Sequence, residues 1–269
     1  MPTHTFPLNG PIDLDVRLGH GSVTVETADH LTEASVRLEP GKHGAELLDQ
    51  TAVEMRGSTL VVHAPRQGGL FDLAVFGGWR GKASLDIHVV VPPDTPVKIS
   101  TFTAAIRIPG DVGSTDLAFG AAEATVRHVT GDLRLRFGSG TAKAVEVTGS
   151  VQLRSGSGDA EFGEIGGALT SGCGSGNVLA RIVRGAVRAR CGSGSASFGE
   201  VHGDVDLASG SGAFEIGLPE GVTAQLNVTT GSGRVRSELP IDDAPNSSAD
   251  PISIRARTGS GDVRLFRAA

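Results

Sequence analysis

The residues whose types and spacing are most suggestive of chemistry are five arginines just before a repeated corner. They are Arg134, Arg136, Arg154, Arg188 and Arg190. Their alternate positions place them on one side of a strand, opposite a Leu/Val side. A basic strip about one strand wide could contact an extended partner, whereas the simpler interpretation is an ordinary solvated strand face. Because the chain has few aromatic residues to stack on bases, we predict no nucleic acid partner.

Carboxylates form the second candidate site. Glu146, Glu164 and Glu200 share one place in the repeat, and Ile182 interrupts the series. Some enzymes that cleave polysaccharides fold as elongated β-helices, and their active sites need carboxylates clustered on neighbouring turns. We interpret these residues as a solvated edge. A carbohydrate-active enzyme acting on an extended glycan remains the alternative, and Glu146 and Glu164 are the residues to mutate first.

The repeated Gly-Ser-Gly triplets could hold a metal ion or a nucleophile. Calcium-binding β-rolls place Asp after their glycines, but here only Asp159 and Asp262 do so. Neither a nucleophile elbow nor a Gly-Lys-Ser/Thr phosphate loop has this spacing. We predict no catalytic residue, metal or cofactor. The triplet serines indicate a hydroxyl ladder at the turns, with contact to a glycan or peptide as the alternative: Ser139, Ser157, Ser175, Ser193 and Ser211.

Two cysteines, Cys173 and Cys191, stand 18 residues apart. If each repeat is one turn of a stack, they lie on adjacent turns at a separation compatible with a disulfide. The chain start lacks a basic and then apolar signal region, so we predict a cytoplasmic location and two packed thiols. Two ligands alone do not form a zinc site.

An internal repeat positions all these residues. Gly-Ser-Gly begins at 138, 156, 174, 192 and 210, and a second glycine series keeps the same 18-residue step from Gly113 to Gly221. Each unit contains two short strands of alternating apolar residues, which are stable only when stacked on copies of themselves. The pattern predicts an all-β protein, a β-solenoid with rungs about 4.8 Å apart. One inward ladder is predicted to contain Val126, Ala144, Phe162, Ala180, Phe198 and Ile216.

The N-terminal portion, residues 1–96, lacks this step. Alternation predicts strands at 22–26, 34–38, 58–62 and 85–91, and one or two helical turns are expected at 44–50. We predict an N-terminal antiparallel β-sheet that caps a solenoid of about eight or nine rungs at 97–269. Later triplets at Gly231 and Gly259 follow at longer steps, and we expect specificity to lie at the ends and in the loop 239–251.

Composition limits the function classes. Among 269 residues are 39 Gly, one Trp and no Tyr, with a net charge of −6. This composition argues against disorder and a generic polyanion binder. The chain also lacks an apolar run of about 20 residues, which argues against membrane insertion.

Several motifs resemble those of a bacterial β-strand-repeat family, the "putative adhesin" or toastrack family. These are the strand Gly21-Ser-Val-Thr-Val25, the step Val89-Val-Val-Pro-Pro93, the corner ending in Asp159 and the closing Thr258-Gly-Ser-Gly-Asp-Val263. The resemblance implies a cell-envelope or stress-associated binding or scaffolding module without catalytic residues. We therefore predict a non-enzymatic scaffold or binding module. Its partner would be a protein or an extended polymer, with self-association as a further expectation.

Overall fold

The computed structural model describes residues 2–65, 83–239 and 251–268. These residues form 23 strands and one short helix, divided into two compact units, residues 1–131 and 132–269. The all-β solenoid predicted from the repeat is confirmed. The domain boundary predicted between residues 96 and 97 stays a prediction.

The first unit contains ten strands and the helix. Their bounds are β1 Thr3–Pro7, β2 Asp13–Leu18, β3 Gly21–Thr27, β4 Glu33–Pro40, α1 Ala45–Gln50, β5 Ala52–Arg56, β6 Thr59–His63, β7 Leu85–Val91, β8 Val97–Thr101, β9 Ala105–Val112 and β10 Thr115–Val129. All four strands predicted from alternation are present, as is the short helix. Alternate burial along β7 shows why this segment is a strand: every second side chain, from Leu85 to Val91, is buried.

Parallel pairing in the first unit begins earlier than the sequence predicts. Strand β2 pairs in parallel with β6 and β8, and β3 pairs in parallel with β7 and β9. Antiparallel pairing is limited, among the described strands, to β1 with β4, β4 with β7, and β5 with β6. The antiparallel cap is therefore narrower than predicted, because β2 and β3 join through a tight corner and enter two different ladders. Gly21 makes that corner at φ +126°, where a Cβ would lie 2.0 Å from the carbonyl oxygen of Leu85.

The second unit contains the remaining strands. Their bounds are β11 Leu133–Val147, β12 Val151–Ser155, β13 Asp159–Ile165, β14 Leu169–Cys173, β15 Val178–Val183, β16 Val187–Cys191, β17 Ala196–Val201, β18 Val205–Ser209, β19 Phe214–Leu218, β20 Ala224–Thr230, β21 Val235–Ser237, β22 Ile252–Thr258 and β23 Val263–Arg267. Two parallel ladders run through this unit. The first contains 133–137 of β11, then β12, β14, β16, β18, β22 and β20. The second contains 141–147 of β11, then β13, β15, β17, β19, β23 and β21.

The spatial order of the rungs departs from the chain order at the C-terminus. Rungs 1 to 5 follow the sequence: 133–147, 151–165, 169–183, 187–201 and 205–218. Strands β22 and β23 pair with β18 and β19 on one side and with β20 and β21 on the other. Rung 6 is therefore residues 252–267, and rung 7 is residues 224–237, although 224–237 comes first in the chain. Residues 97–269 also include the rungs 97–112 and 115–129 of the first unit, so this range contains nine described rungs, against the eight or nine predicted for it.

The predicted inward ladder is confirmed within the second unit. Ala144, Phe162, Ala180, Phe198 and Ile216 are consecutive register partners, and all five are buried. Alanine lies on both sides of Phe162 and on one side of Phe198, which leaves room for the two rings, and Ile216 packs on the other side of Phe198.

Most corner glycines are required by steric contact and not by a left-handed φ. Among the described Gly-Ser-Gly corners, only Gly140 has a left-handed φ, at +99°. The other described corners need glycine because the chain approaches the preceding rung closely. At Gly194, for example, a Cβ would lie 1.9 Å from the carbonyl oxygen of Gly176.

Cys173 and Cys191 form a disulfide with a Cα–Cα distance of 4.7 Å. The prediction of two packed thiols is therefore wrong in this structure. The two residues are register partners on β14 and β16, and both side chains are inward and buried. Ser209 takes the corresponding position on the next rung. Its hydroxyl accepts a hydrogen bond from the N–H of Gly212 at 2.7 Å.

Candidate functional site: an arginine-rich strand face

The outward side of the first ladder in the second unit has two columns of side chains, which we call the arginine face. In rung order, the first column contains Arg134, Gln152, Thr170, Arg188, Asp206, Arg255 and Asn227. The second column contains Arg136, Arg154, Gly172, Arg190, Ala208, Arg257 and Thr229. Parallel pairing in register aligns each column along the stack.

All five predicted arginines lie on this face and are exposed. Arg134, Arg136 and Arg154 occupy rungs 1 and 2, and Arg188 and Arg190 occupy rung 4. Rung 3 separates the two groups. The five arginines therefore share one strand face that rung 3 interrupts, and their role as a binding strip stays a prediction.

Two further arginines, Arg255 and Arg257, belong to the arginine face and were missed. They are the register partners of Asp206 and Ala208, and both are exposed. The signal was present in the sequence, because Arg-Ala-Arg precedes the corner at Arg255 as it does at Arg188. Because this repeat follows at a step longer than 18 residues, its register could not be assigned by counting.

Asp206 shows how this face holds a carboxylate. The Nη2 atom of Arg190 lies 2.7 Å from Oδ2 of Asp206, Nη1 lies 3.2 Å from Oδ1, and Arg188 is 3.8 Å away. The hydrogen bond from Arg190 is the largest influence and lowers the pKa of Asp206. Partial burial opposes that shift, whereas the charges of Arg190, Arg188 and Arg255 add to it.

A neutral amide takes the corresponding place on rung 2. Gln152 accepts a hydrogen bond from Nη2 of Arg134 at 3.2 Å, and no acidic partner of Arg154 is present in the described part of the chain. The two columns contain seven arginines and one aspartate, so positive charge is in excess on this face although the chain is acidic overall.

Gly172 leaves an opening in the second column. A Cβ placed on this glycine would meet no atom within 4 Å. Its register neighbours are Arg154 and Arg190, and exposed Thr170 stands beside it in the first column. Neither a steric contact nor a left-handed φ requires glycine at this position.

The acidic corner residues considered as calcium ligands bond to the backbone of a neighbouring rung. Oδ1 of Asp159 accepts the N–H of Asn177 at 2.8 Å, and Oδ1 of Asp262 accepts the N–H of Arg234 at 2.7 Å. Within residues 2–65, 83–239 and 251–268, no group of three or more His, Cys, Asp or Glu could hold a metal ion. The serines of the predicted hydroxyl ladder are exposed at their corners.

The predicted carboxylate pair is brought together on adjacent rungs of the second ladder, where Glu146 and Glu164 are register partners. Glu164 accepts a hydrogen bond from Nε of Arg184 at 2.7 Å. Glu200 lies 2.7 Å from Nε2 of His202. Glu164 and Glu200 therefore have close basic neighbours.

The remaining expectations concern loops and membranes. Residues 240–250 of the loop in which specificity was expected lie outside the described residues. No helix within the described ranges is long and apolar enough to cross a membrane.

Comparisons with known proteins give structural neighbours only. No protein-family model and no curated protein matches the chain. A "putative lipid binding protein" from Parabacteroides distasonis is similar over 98% of this chain and 96% of its own, at 14% identity and a TM-score of 0.49. A "putative adhesin" from Parabacteroides merdae is similar over 98% and 95%, at 11% identity and a TM-score of 0.41. A "putative cell adhesion protein" from Clostridium sporogenes is similar over 99% of both chains, at 11% identity and a TM-score of 0.26. Solved structures named as adhesins are thus among the neighbours of this chain.

Proposed function

We propose that this protein is a non-enzymatic recognition module that binds an extended anionic polymer along the arginine face. The observation that carries the proposal is the placement of seven outward arginines on four of six consecutive rungs, with a single aspartate among them. From rung 1 to rung 6 the face extends about 24 Å. A partner that spans this length must itself be extended.

The chemistry of the side chains favours an anion. Each guanidinium group is planar and permanently charged, and it can bind a carboxylate, sulfate or phosphate through two parallel hydrogen bonds. Asp206 already occupies such a clamp with Arg190. The net charge of −6 repels polyanions elsewhere on the surface, so binding depends on this local excess of positive charge.

The alternative function is a carbohydrate-active enzyme. It is supported by the placement of Glu146 and Glu164 on adjacent rungs, because hydrolysis of a glycosidic bond requires two nearby carboxyl groups. The ion pair of Glu164 with Arg184 supports the non-enzymatic proposal instead. Release of reducing ends from an acidic glycan, abolished by Glu146→Gln, would establish the alternative.

The location of the protein is a separate proposal. The Cys173–Cys191 disulfide supports action in an oxidising compartment. The cytoplasmic location expected from the sequence stays a prediction. Alkylation of protein trapped directly from cells tests it, since cytoplasmic protein would have two reactive thiols.

The experiment for the proposed function measures equilibrium binding to polymannuronate and to dextran sulfate at low and at physiological ionic strength. We expect Arg134→Ala/Arg154→Ala/Arg188→Ala to weaken binding at least tenfold. Its matched control removes three exposed arginines from other faces, Arg107, Arg181 and Arg236, and changes the net charge equally. Absence of binding by the unmodified protein, or equal loss in both triple variants, would refute the proposal.

A further inference from the structure

From rung 2 to rung 6, the second column of the arginine face has a period of two rungs, and Arg136 on rung 1 lies outside this period. On rungs 2 to 6 this column contains, in consecutive register, Arg154, Gly172, Arg190, Ala208 and Arg257. Adjacent rungs are 4.7 Å apart at Cys173 and Cys191, so successive arginines of this series are about 9.5 Å apart. Arginine therefore alternates with a residue too small to fill the space between two guanidinium groups.

Gly172 lowers the stability of its strand, although the fold does not require glycine at this position. Glycine within a strand is less stable than alanine by about 0.5–1 kcal/mol, yet a Cβ here would meet no atom within 4 Å. Glycine inside a strand often marks a bulge, a tight bend, or a place where a ligand or another backbone approaches closely, and no other backbone lies within 4 Å of the Cβ position at Gly172. The opening above Gly172 has Arg154 on one side and Arg190 on the other.

Asp206 provides an internal example of an anion that is bound by an arginine of the second column. Its carboxylate is clamped by Arg190 from the neighbouring rung. On the other side of Arg190, across Gly172, no described acidic side chain faces Arg154. An external carboxylate can therefore make at the Gly172 opening the kind of contact that Asp206 makes within the chain.

We propose, on the basis of the function proposed above, that the polymer is a linear acidic polysaccharide and that one of its carboxylates binds at the Gly172 opening. In an extended, two-fold polysaccharide chain successive sugar rings face opposite sides, so carboxylates on one side recur at every second ring. The two-rung period of arginines matches such a chain laid along the stack. A nucleic acid fits less well, because B-form phosphates recur every 3.4 Å along each strand and neither column contains an aromatic residue for stacking.

The deciding experiment adds one positive charge at two positions of the same column. Gly172→Arg fills the opening, whereas Thr229→Arg, on rung 7, adds the same charge next to Arg257 without filling it. Binding to polymannuronate is measured for both variants and for Gly172→Ala. We expect Gly172→Arg to weaken binding at least fivefold, Thr229→Arg to strengthen it or leave it unchanged, and Gly172→Ala to change it less than threefold.

The outcomes separate this inference from the proposed function. Tighter binding by both arginine variants would show that only net charge matters, and would overturn the inference while leaving the proposed function intact. Failure of the unmodified protein to bind polymannuronate and dextran sulfate would overturn both. Equal affinity for single-stranded oligo(dT), with the same response to Gly172→Arg, would overturn the assignment to a polysaccharide. If Gly172→Arg fails to fold, Ala208→Leu is used to fill the space between Arg190 and Arg257. Unchanged binding by that variant would refute the role of the two-rung arginine period.

Discussion

Close approach between rungs makes one glycine indispensable and another replaceable, although both belong to the same repeat. In Gly194→Ala the new Cβ would lie 1.9 Å from the carbonyl oxygen and 2.8 Å from the carbonyl carbon of Gly176. Both atoms are backbone, so the rungs must separate locally by more than 1 Å to reach ordinary contact distances of about 3.4 Å. Such strain costs about 1–3 kcal/mol, and each lost backbone hydrogen bond at the corner adds about 1 kcal/mol. We expect a total loss of about 3–5 kcal/mol.

The matched control is Gly172→Ala, where the new methyl group meets no atom within 4 Å. We expect the stability of this variant to be unchanged or raised by up to about 1 kcal/mol. The assay is thermal unfolding followed by far-ultraviolet circular dichroism. For a chain of this size 1 kcal/mol shifts Tm by about 2–4 °C, so Gly194→Ala should unfold about 10 °C below the unmodified protein. If both variants lose stability equally, intrinsic preference for glycine, not close approach of the rungs, explains the corners.

Two further predictions concern the disulfide and Asp206. Removing a crosslink that closes a loop of about 18 residues should cost about 3 kcal/mol. The free energy of unfolding of Cys173→Ser/Cys191→Ser should exceed that of the double alanine variant by about 1–2 kcal/mol, because a serine hydroxyl can accept the corner N–H as Ser209 does. Equal urea midpoints for the two double variants would contradict this prediction. The folded-state pKa of Asp206 lies below its unfolded value, so its stabilising contribution is present above the unfolded pKa and is lost as pH falls through the folded pKa. Arg190→Gln should raise the pKa of Asp206 towards its ordinary value in an NMR titration, and an unmoved pKa would refute the assigned cause.

The 18-residue repeat predicted the second unit well because each step in the sequence is one rung in space. Register partners from Ala144 to Ile216 could be assigned by counting alone. The exchange of rungs 6 and 7 could not, because steps of 21 and 28 residues indicate longer loops without showing which rung lies next. Burial shows the result: Ile254 is fully buried, whereas its partner Leu226 on rung 7 is 40% exposed.

In the first unit, alternation identified strands but not their partners. Leu14 is the parallel register partner of both Leu60 and Val97, which are far from it in sequence and unmarked by any constant step. The corner at Gly21 sends β3 into a different ladder from β2, and alternation carries no information about that choice.

The exchanged rungs also determine the composition of the candidate site. In simple chain order, Asn227 and Thr229 would follow Asp206 and Ala208. Arg257 would then lie three rungs from Arg190 instead of two. Placing residues 252–258 on rung 6 brings Arg255 beside Asp206 and Arg257 beside Ala208. That arrangement completes the alternation of arginine with small residues through rung 6 and adds a third charge around the Asp206 carboxylate. The exchange of the two rungs therefore places two arginines where the two-rung period of the proposed site requires them.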